Sequence, residues 1–137
     1  MSADSFLLEV VTPAAKVFSG TVSEVRAPGF EGEFGVLPGH ADYVTAMRPG
    51  PLTFQHEGQS RRLLVGAGFA EVGTDKVVLL TDLCEEVDGI DPEAAAGSMR
   101  ADERVMLEHN PSDHEYLDAK ADQALQIARI QAADPRD

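Results

Sequence analysis

The sequence has one cysteine, Cys84, and no tryptophan, and only 6% of its residues are aromatic. A lone thiol can close no internal disulfide and build no multi-cysteine zinc knuckle, which suits a reducing compartment and leaves Cys84 a packing role. Bases are scarce: 11 lysines and arginines face 24 acids, for a net charge of −13. That sign repels nucleic-acid phosphate and anionic lipid alike, so partners are expected to be proteins with basic or neutral surfaces. Long apolar runs are missing as well. Nothing approaches the roughly 20 apolar residues of a membrane span, and residues 1–5 lack the basic flank and apolar core of a signal peptide, so neither insertion nor export is expected.

Chemical motifs are absent in the same way. No G-x-x-x-x-G-K-[ST] loop exists to cradle phosphate, and no G-x-S-x-G elbow to present a nucleophile. Gly66-Ala67-Gly68-Phe69-Ala70-Glu71 opens like a dinucleotide fingerprint but puts Glu71 at the third glycine and sits between strands. Of the histidines His40, His56, His109 and His114, the last two are five apart across a proline break, not four apart on one helical face, so no zinc pair is expected. Asp82, Glu85 and Glu86 surround Cys84 and would raise its thiol pKa, which argues against a catalytic cysteine. No catalytic residue, metal or cofactor is expected.

What remains is a foldable chain of 137 residues, 43% hydrophobic, enough for one domain of about 90 residues with an appendage. Residues 1–84 read as short strands. Phe6-Leu7-Leu8-Glu9-Val10-Val11, Leu63-Leu64-Val65, Phe69-Ala70-Glu71-Val72 and Lys76-Val77-Val78-Leu79-Leu80-Thr81 are β-rich, with turn residues every eight to twelve positions and no helical period. This predicts an antiparallel β-sandwich or flattened barrel, since a parallel sheet would need intervening helices. Residues 85–90 read as an acidic linker, and 91–137 as an antiparallel two-helix hairpin. Asp91-Pro92 starts the first helix, which Gly97-Ser98 weakens. Asn110-Pro111 breaks it, and Ser112 with Glu115 spells a capping box for the second. There Leu117, Ala121, Ala124, Leu125, Ala128 and Ala132 recur along one shallow side, with Lys120, Asp122 and Arg129 elsewhere, so the hairpin must lean on the sandwich, weakly enough to detach.

Residues 28–41 pack four glycines and two prolines among Phe30, Phe34, Val36 and Leu37. The apolar groups should anchor an ordered loop that presents Glu31, Glu33 and His40.

At this stretch, Glu31-Gly32-Glu33-Phe34-Gly35-Val36-Leu37-Pro38-Gly39-His40-Ala41, the chain resembles the ε subunits of F-type ATP synthases, called δ in mitochondria. Val10-Val11-Thr12-Pro13 with Val17-Phe18-Ser19-Gly20, Thr45-Ala46-Met47-Arg48-Pro49-Gly50 and Gly66-Ala67-Gly68-Phe69-Ala70-Glu71-Val72 extend the likeness over residues 6 to about 95. The resemblance implies a sandwich of about ten strands, a C-terminal hairpin and a non-catalytic rotor subunit. Such a subunit binds γ and the c-ring, meets the α and β subunits transiently, and couples c-ring rotation to ATP synthesis from the cytoplasmic face of the bacterial inner membrane. It further implies c-ring contact through Glu31, Glu33 and His40, where Glu33→Gln should weaken rotor assembly. Phe69→Ala, if Phe69 is buried, should cost about 3–5 kcal/mol.

The sequence departs from the family at three places. From residue 90 on, Arg100, Arg104, Lys120, Arg129 and Arg136 face eleven acids, so regulatory contacts of Arg100, Arg104, Lys120 and Arg129 with an acidic β subunit should inhibit hydrolysis weakly. The family's ATP-binding pattern [IL]-D-x-x-R-A reads Ile90-Asp91-Pro92-Glu93-Ala94-Ala95, with Ala94 in place of arginine, which argues against ATP binding. Asp42 follows the P-G-H-A element where proline is common, and should alter the loop's stiffness. The alternatives are an ATP-sensing inhibitory regulator, a small enzyme with a scattered site, or a sandwich adaptor unrelated to the motor.

Overall fold

The computed structural model describes residues 4–134, so Arg136 lies outside the described residues. Ten strands precede two helices. The strands are β1 (Phe6–Val11), β2 (Lys16–Val22), β3 (Glu24–Gly29), β4 (Gly32–Val36), β5 (Tyr43–Met47), β6 (Gly50–His56), β7 (Gln59–Val65), β8 (Gly68–Val72), β9 (Lys76–Thr81) and β10 (Cys84–Glu86). They hydrogen-bond in the order β10-β7-β6-β3-β5-β8-β9-β1-β2, with β4 paired to β3. The ladder folds over until its distant parts touch: Phe18 of β2 stacks on Phe54 of β6 at 4.6 Å, and His56 donates a ring N–H to the carbonyl of Thr21 at 2.8 Å. Between the layers lies a core that includes Phe6, Leu8, Val25, Leu52, Phe54 and Leu79, each at most 1% exposed.

This is the expected sandwich, with one exception. β1 and β9 run parallel, Leu8 opposite Val77 and Val10 opposite Leu79. The intervening strands themselves carry the chain back to the same end, so no crossover helix is required.

Two corrections concern the junction with the helices. Glu85 and Glu86, read as linker, belong to β10 and pair with Leu64 and Leu63. A single 3₁₀ turn, Val87–Gly89, then leads to helix α1 (Pro92–Glu108). The Asp91 carboxylate accepts from the amides of Glu93 and Ala94 at 3.0 and 3.3 Å, so the predicted start of α1 holds. Helix α2 (His114–Ala133) starts differently from the prediction. The Asn110-Pro111 turn, closed from the Asp113 amide to the Asn110 carbonyl at 2.9 Å, draws Ser112 into itself and leaves Asp113 at the cap position. No capping box forms, and the Asp113 side chain accepts from the Asn110 amide instead.

The buried side of α2 also departs from the predicted stripe. Ala128 and Ala132 are buried as expected, yet Leu117, Ala121 and Ala124 are exposed, while Ala119 and Gln126 are buried. The helix serves two surfaces. One side meets α1, where Asp122 faces Asp102 and Gln126 shares a groove with Ala94 and Ser98. Later residues of α2 therefore meet earlier residues of α1, which makes the hairpin antiparallel. The other side seats Ala128 and Ala132 against Leu64 of β7, flanked by Val87, Ile90 and Leu125. Alanines let the helix approach closely but bury little apolar area, so polar clips complete the contact. Arg62 of β7 donates through Nε to the Ala132 carbonyl at 3.0 Å and through Nη2 to that of Gln131 at 3.3 Å, which also accepts from the Asp134 amide at 3.2 Å, so the guanidinium clamps the last carbonyls of the helix.

Candidate functional site

The hairpin of β3 and β4 is the most specialised part of the sandwich surface. Gly29 pairs with Gly32 across a two-residue turn, Phe30-Glu31. Gly32 has φ +138°, a conformation side chains rarely adopt, and a Cβ on Gly29 would lie 2.5 Å from the Gly32 carbonyl oxygen. The glycines thus fix a sharp tip. It carries Glu31, exposed, and Phe30, 67% exposed. Glu33 follows on β4, also exposed, with an Arg26 guanidinium nitrogen 3.7 Å from its carboxylate. On its other side Glu33 borders a groove of about 390 Å³ shared with Arg48 and, from α2, Ile127 and Gln131.

His40 is not brought to this tip. β4 runs away from the tip, and the following loop places His40 at the far end of the strand, against the start of β1. Its ring stands edge-on to buried Phe6 at 5.4 Å, and Nδ1 donates to the Leu37 carbonyl. The imidazole therefore props the loop from inside. Asp42, at the position where proline is common in the family, ties the same loop to the β8–β9 turn by accepting from the Thr74 hydroxyl at 3.1 Å. The anchoring residues divide as well. Val36 is buried and Phe34 packs on the core, whereas Phe30 and Leu37 point to solvent.

The sequence reading missed an apolar row on the outer face of the sheet. Ala46 of β5 lies opposite Phe69 of β8, Phe69 opposite Leu80 of β9, and Leu80 beside Val11 of β1. Phe69 is 56% exposed and Leu80 41%, and Val44, two residues before Ala46, is 68% exposed. Phe69 is thus not a core residue, so the condition on which its truncation was expected to be costly is not met. Its neighbours Ala70 and Val72 point inward, and that alternation was the available signal. The Phe30 amide donates to the Ala46 carbonyl at 2.9 Å, so the tip joins the edge of this row. Next to the row, Glu9 is nearly buried between Lys16 and Lys76, whose ammonium groups stand 2.6 and 2.8 Å from its carboxylate. Their hydrogen bonds pull its pKa down to about 2.

The positions of the nucleotide motif do converge. Ile90, Asp91, Ala94 and Ala95 line one side of a groove of about 550 Å³, faced by Gln126 and Arg129. Asp91 is committed to capping α1, and Arg129 is held by Glu85 through Nε at 3.2 Å and Nη2 at 2.5 Å. The remaining arginines and lysine of the hairpin among the described residues, Arg100, Arg104 and Lys120, are exposed. Cys84 packs against the core edge, where burial and the carboxylates of Glu86 and Glu85 push its thiol up to about 11, outside the range of a nucleophile at neutral pH. No helix of the described residues is long and apolar enough to cross a membrane.

Comparison with known proteins agrees with this geometry. Residues 5–87 match the family model described as ATP synthase, Delta/Epsilon chain, beta-sandwich domain. The chain is 37% identical over 131 residues to an ATP synthase epsilon chain of Geobacter metallireducens, covering 96% of this chain and 95% of that one. It is 39% identical over 127 residues to one of Nitratidesulfovibrio vulgaris, covering 92% and 95%. Among solved structures, a chain of the Euglena gracilis mitochondrial ATP synthase, in an OSCP/F1/c-ring assembly, superposes with a TM-score of 0.81 at 22% identity, covering 91% of this chain and 79% of that one. A chain from the central stalk and c-ring of the Tetrahymena thermophila enzyme gives 0.63 at 14% identity, covering 98% and 100%. These two likenesses concern the fold.

Proposed function

The chain belongs to the ATP synthase delta/epsilon chain family, and from that premise we propose that it works as the non-catalytic ε-type subunit of the central stalk, coupling rotation of the c-ring to ATP synthesis in the catalytic head through γ. The observation that carries this reading is the exposed row of Phe69 and Leu80 continued by the Phe30 tip: a sheet face whose apolar groups no other part of the described chain covers. Exposed apolar area of that kind on an acidic protein is suited to a protein partner. In our reading γ takes the row. Glu31 and Glu33 at the glycine-fixed tip accept charge-assisted hydrogen bonds from the c-ring, and His40 keeps the adjoining loop in shape. The subunit then sits at the cytoplasmic face of the bacterial inner membrane, held there through its partners. Co-purification tests it. Phe69→Asp with Leu80→Asp should strip the subunit from γ, and Glu33→Gln should weaken retention of the c-ring; a rotor that keeps its full complement with both variants would contradict the assignment.

The hairpin is read as a weak regulator of ATP hydrolysis that can leave the sandwich and meet the α and β subunits. Arg100, Arg104 and Lys120 are exposed while it is docked, whereas Arg129 is freed only when α2 parts from Glu85. ATP is not expected to hold it closed, because Ala94 supplies no cation to the groove. Removing residues 90–137 should raise hydrolysis by the assembled enzyme only slightly.

A further inference from the structure

One contact inside the hairpin is repulsive when both of its carboxyl groups are ionised. Across the α1–α2 seam the carboxyl groups of Asp102 and Asp122 face each other. Asp102 is half-buried, and its Oδ2 is shielded from solvent with no hydrogen-bond partner among the described residues. Asp122 is fixed from its own helix, its two oxygens accepting from the Gln126 amide at 3.3 and 3.4 Å. Two ionised carboxylates so placed repel, and the buried oxygen goes unsatisfied. One shared proton turns that repulsion into an O–H···O hydrogen bond between the two carboxyl groups.

The surroundings leave the proton as the device that closes the seam. Among the groups facing the pair, α2 supplies Asp122 itself and Arg129, which lies within electrostatic reach of Asp122 but is engaged by Glu85 from β10. On α1, Arg100, Glu103 and Arg104 are exposed, and His109, two turns further along, is paired with Asp113 at 4.0 Å. We propose that Asp102 and Asp122 form a proton-operated clasp: sharing a proton they hold α1 to α2, and fully ionised they push the hairpin apart, so acidification favours the folded hairpin. This goes beyond the rotor assignment and does not depend on which partners the chain binds.

Burial and the neighbouring Asp122 carboxylate push the Asp102 pKa up from 3.8 to about 6. A carboxyl raised on folding binds more protons folded than unfolded between those values. Stability therefore falls as pH rises from about 4 to about 6 and is level above that. Near neutral pH the clasp is strained; at pH 5 it is largely closed.

The test is amide hydrogen exchange on the full chain at pH 5.0 and 7.5, corrected for intrinsic exchange rates, with the sandwich strands as internal reference. Protection in α1 and α2 relative to the sandwich should be about tenfold greater at pH 5.0. Asp102→Asn, whose carboxamide donates to Asp122 at every pH, should be well protected at both pH values with no pH dependence, whereas Asp122→Asn, which removes the repelling carboxylate but leaves Asp102 buried, should reduce the dependence without abolishing it. A variant with His109→Gln and His114→Gln should keep it. Equal relative protection at the two pH values in the parent chain, or a pH dependence that survives Asp102→Asn or disappears with the histidines, overturns the clasp.

Discussion

The sandwich and the hairpin are joined in one chain but held by different forces. In the sandwich, residues such as Phe6, Leu8, Val25, Leu52, Phe54 and Leu79 are sealed between two layers, and cross-strand ladders satisfy the backbone. In the hairpin, α2 meets the sheet largely through Ala128 and Ala132 against Leu64, with Val87, Ile90 and Leu125 only partly buried around them. What apolar area does not provide comes from directional contacts, Arg62 on the α2 carbonyls and Arg129 on Glu85. Hydrophobic burial is insensitive to small changes in condition, whereas ion pairs and carboxyl pairs respond to pH, salt and competing partners. The lesson is that one chain can join an apolar-cored sandwich to a hairpin held largely by polar contacts, with only a single 3₁₀ turn between the last strand and the first helix.

The largest expected effect attacks the sandwich. Phe54→Ala should cost about 3–5 kcal/mol and melt both regions together, while Phe69→Ala on the outer face should cost less than about 1 kcal/mol, as measured by urea denaturation. Equal costs for the two would erase the distinction between core and docking row. Glu9 comes next. Its folded pKa of about 2 lies below the ordinary 4.5, so its contribution is fully present above about pH 4.5 and disappears as pH falls through 2. Glu9→Gln should lower the stability of the sandwich at pH 7 and flatten its acid limb between pH 4.5 and 2, with hairpin exchange unchanged relative to the strands. Arg129→Ala sharpens the comparison from the other side. Loss of a partly exposed ion pair should weaken hairpin docking by about 1 kcal/mol, visible as faster exchange in α2 at an unchanged global midpoint. The smallest effect is a gain. A Cβ at Gly97 meets nothing within 4 Å, so Gly97→Ala should stabilise α1 by about 0.5–1 kcal/mol and slow its exchange alone.

The two regions also differed in how readable they were. Alternating apolar residues and turn glycines mark the strands locally, and the Asp91-Pro92 start of α1 was legible because a cap is a contact between near neighbours. The α2 stripe was read less well: a helix serving two surfaces has no single apolar side, and alanine is indifferent between burial and exposure. The Ser112–Glu115 box failed because the preceding turn, not the helix, decided which residue stood at the cap. At the candidate site, the glycines marked an ordered turn that exposes Glu31 and Glu33, and both lie exposed there. His40 was drawn in by nearness along the chain, although four residues of strand and a loop take it to the opposite end.

Sequence alone determined that this is an acidic β module followed by helices, because charge, turn spacing and capping depend on composition and on residues a few positions apart. Tertiary structure alone decided that β1 lies parallel to β9, that Phe69 and Leu80 form an exposed row, that Glu85 holds Arg129, and that Asp102 meets Asp122. Phe69 and Leu80 meet across a local hairpin whose outer face only the closed sandwich defines, and the other pairs join residues further apart that only the folded chain brings within reach.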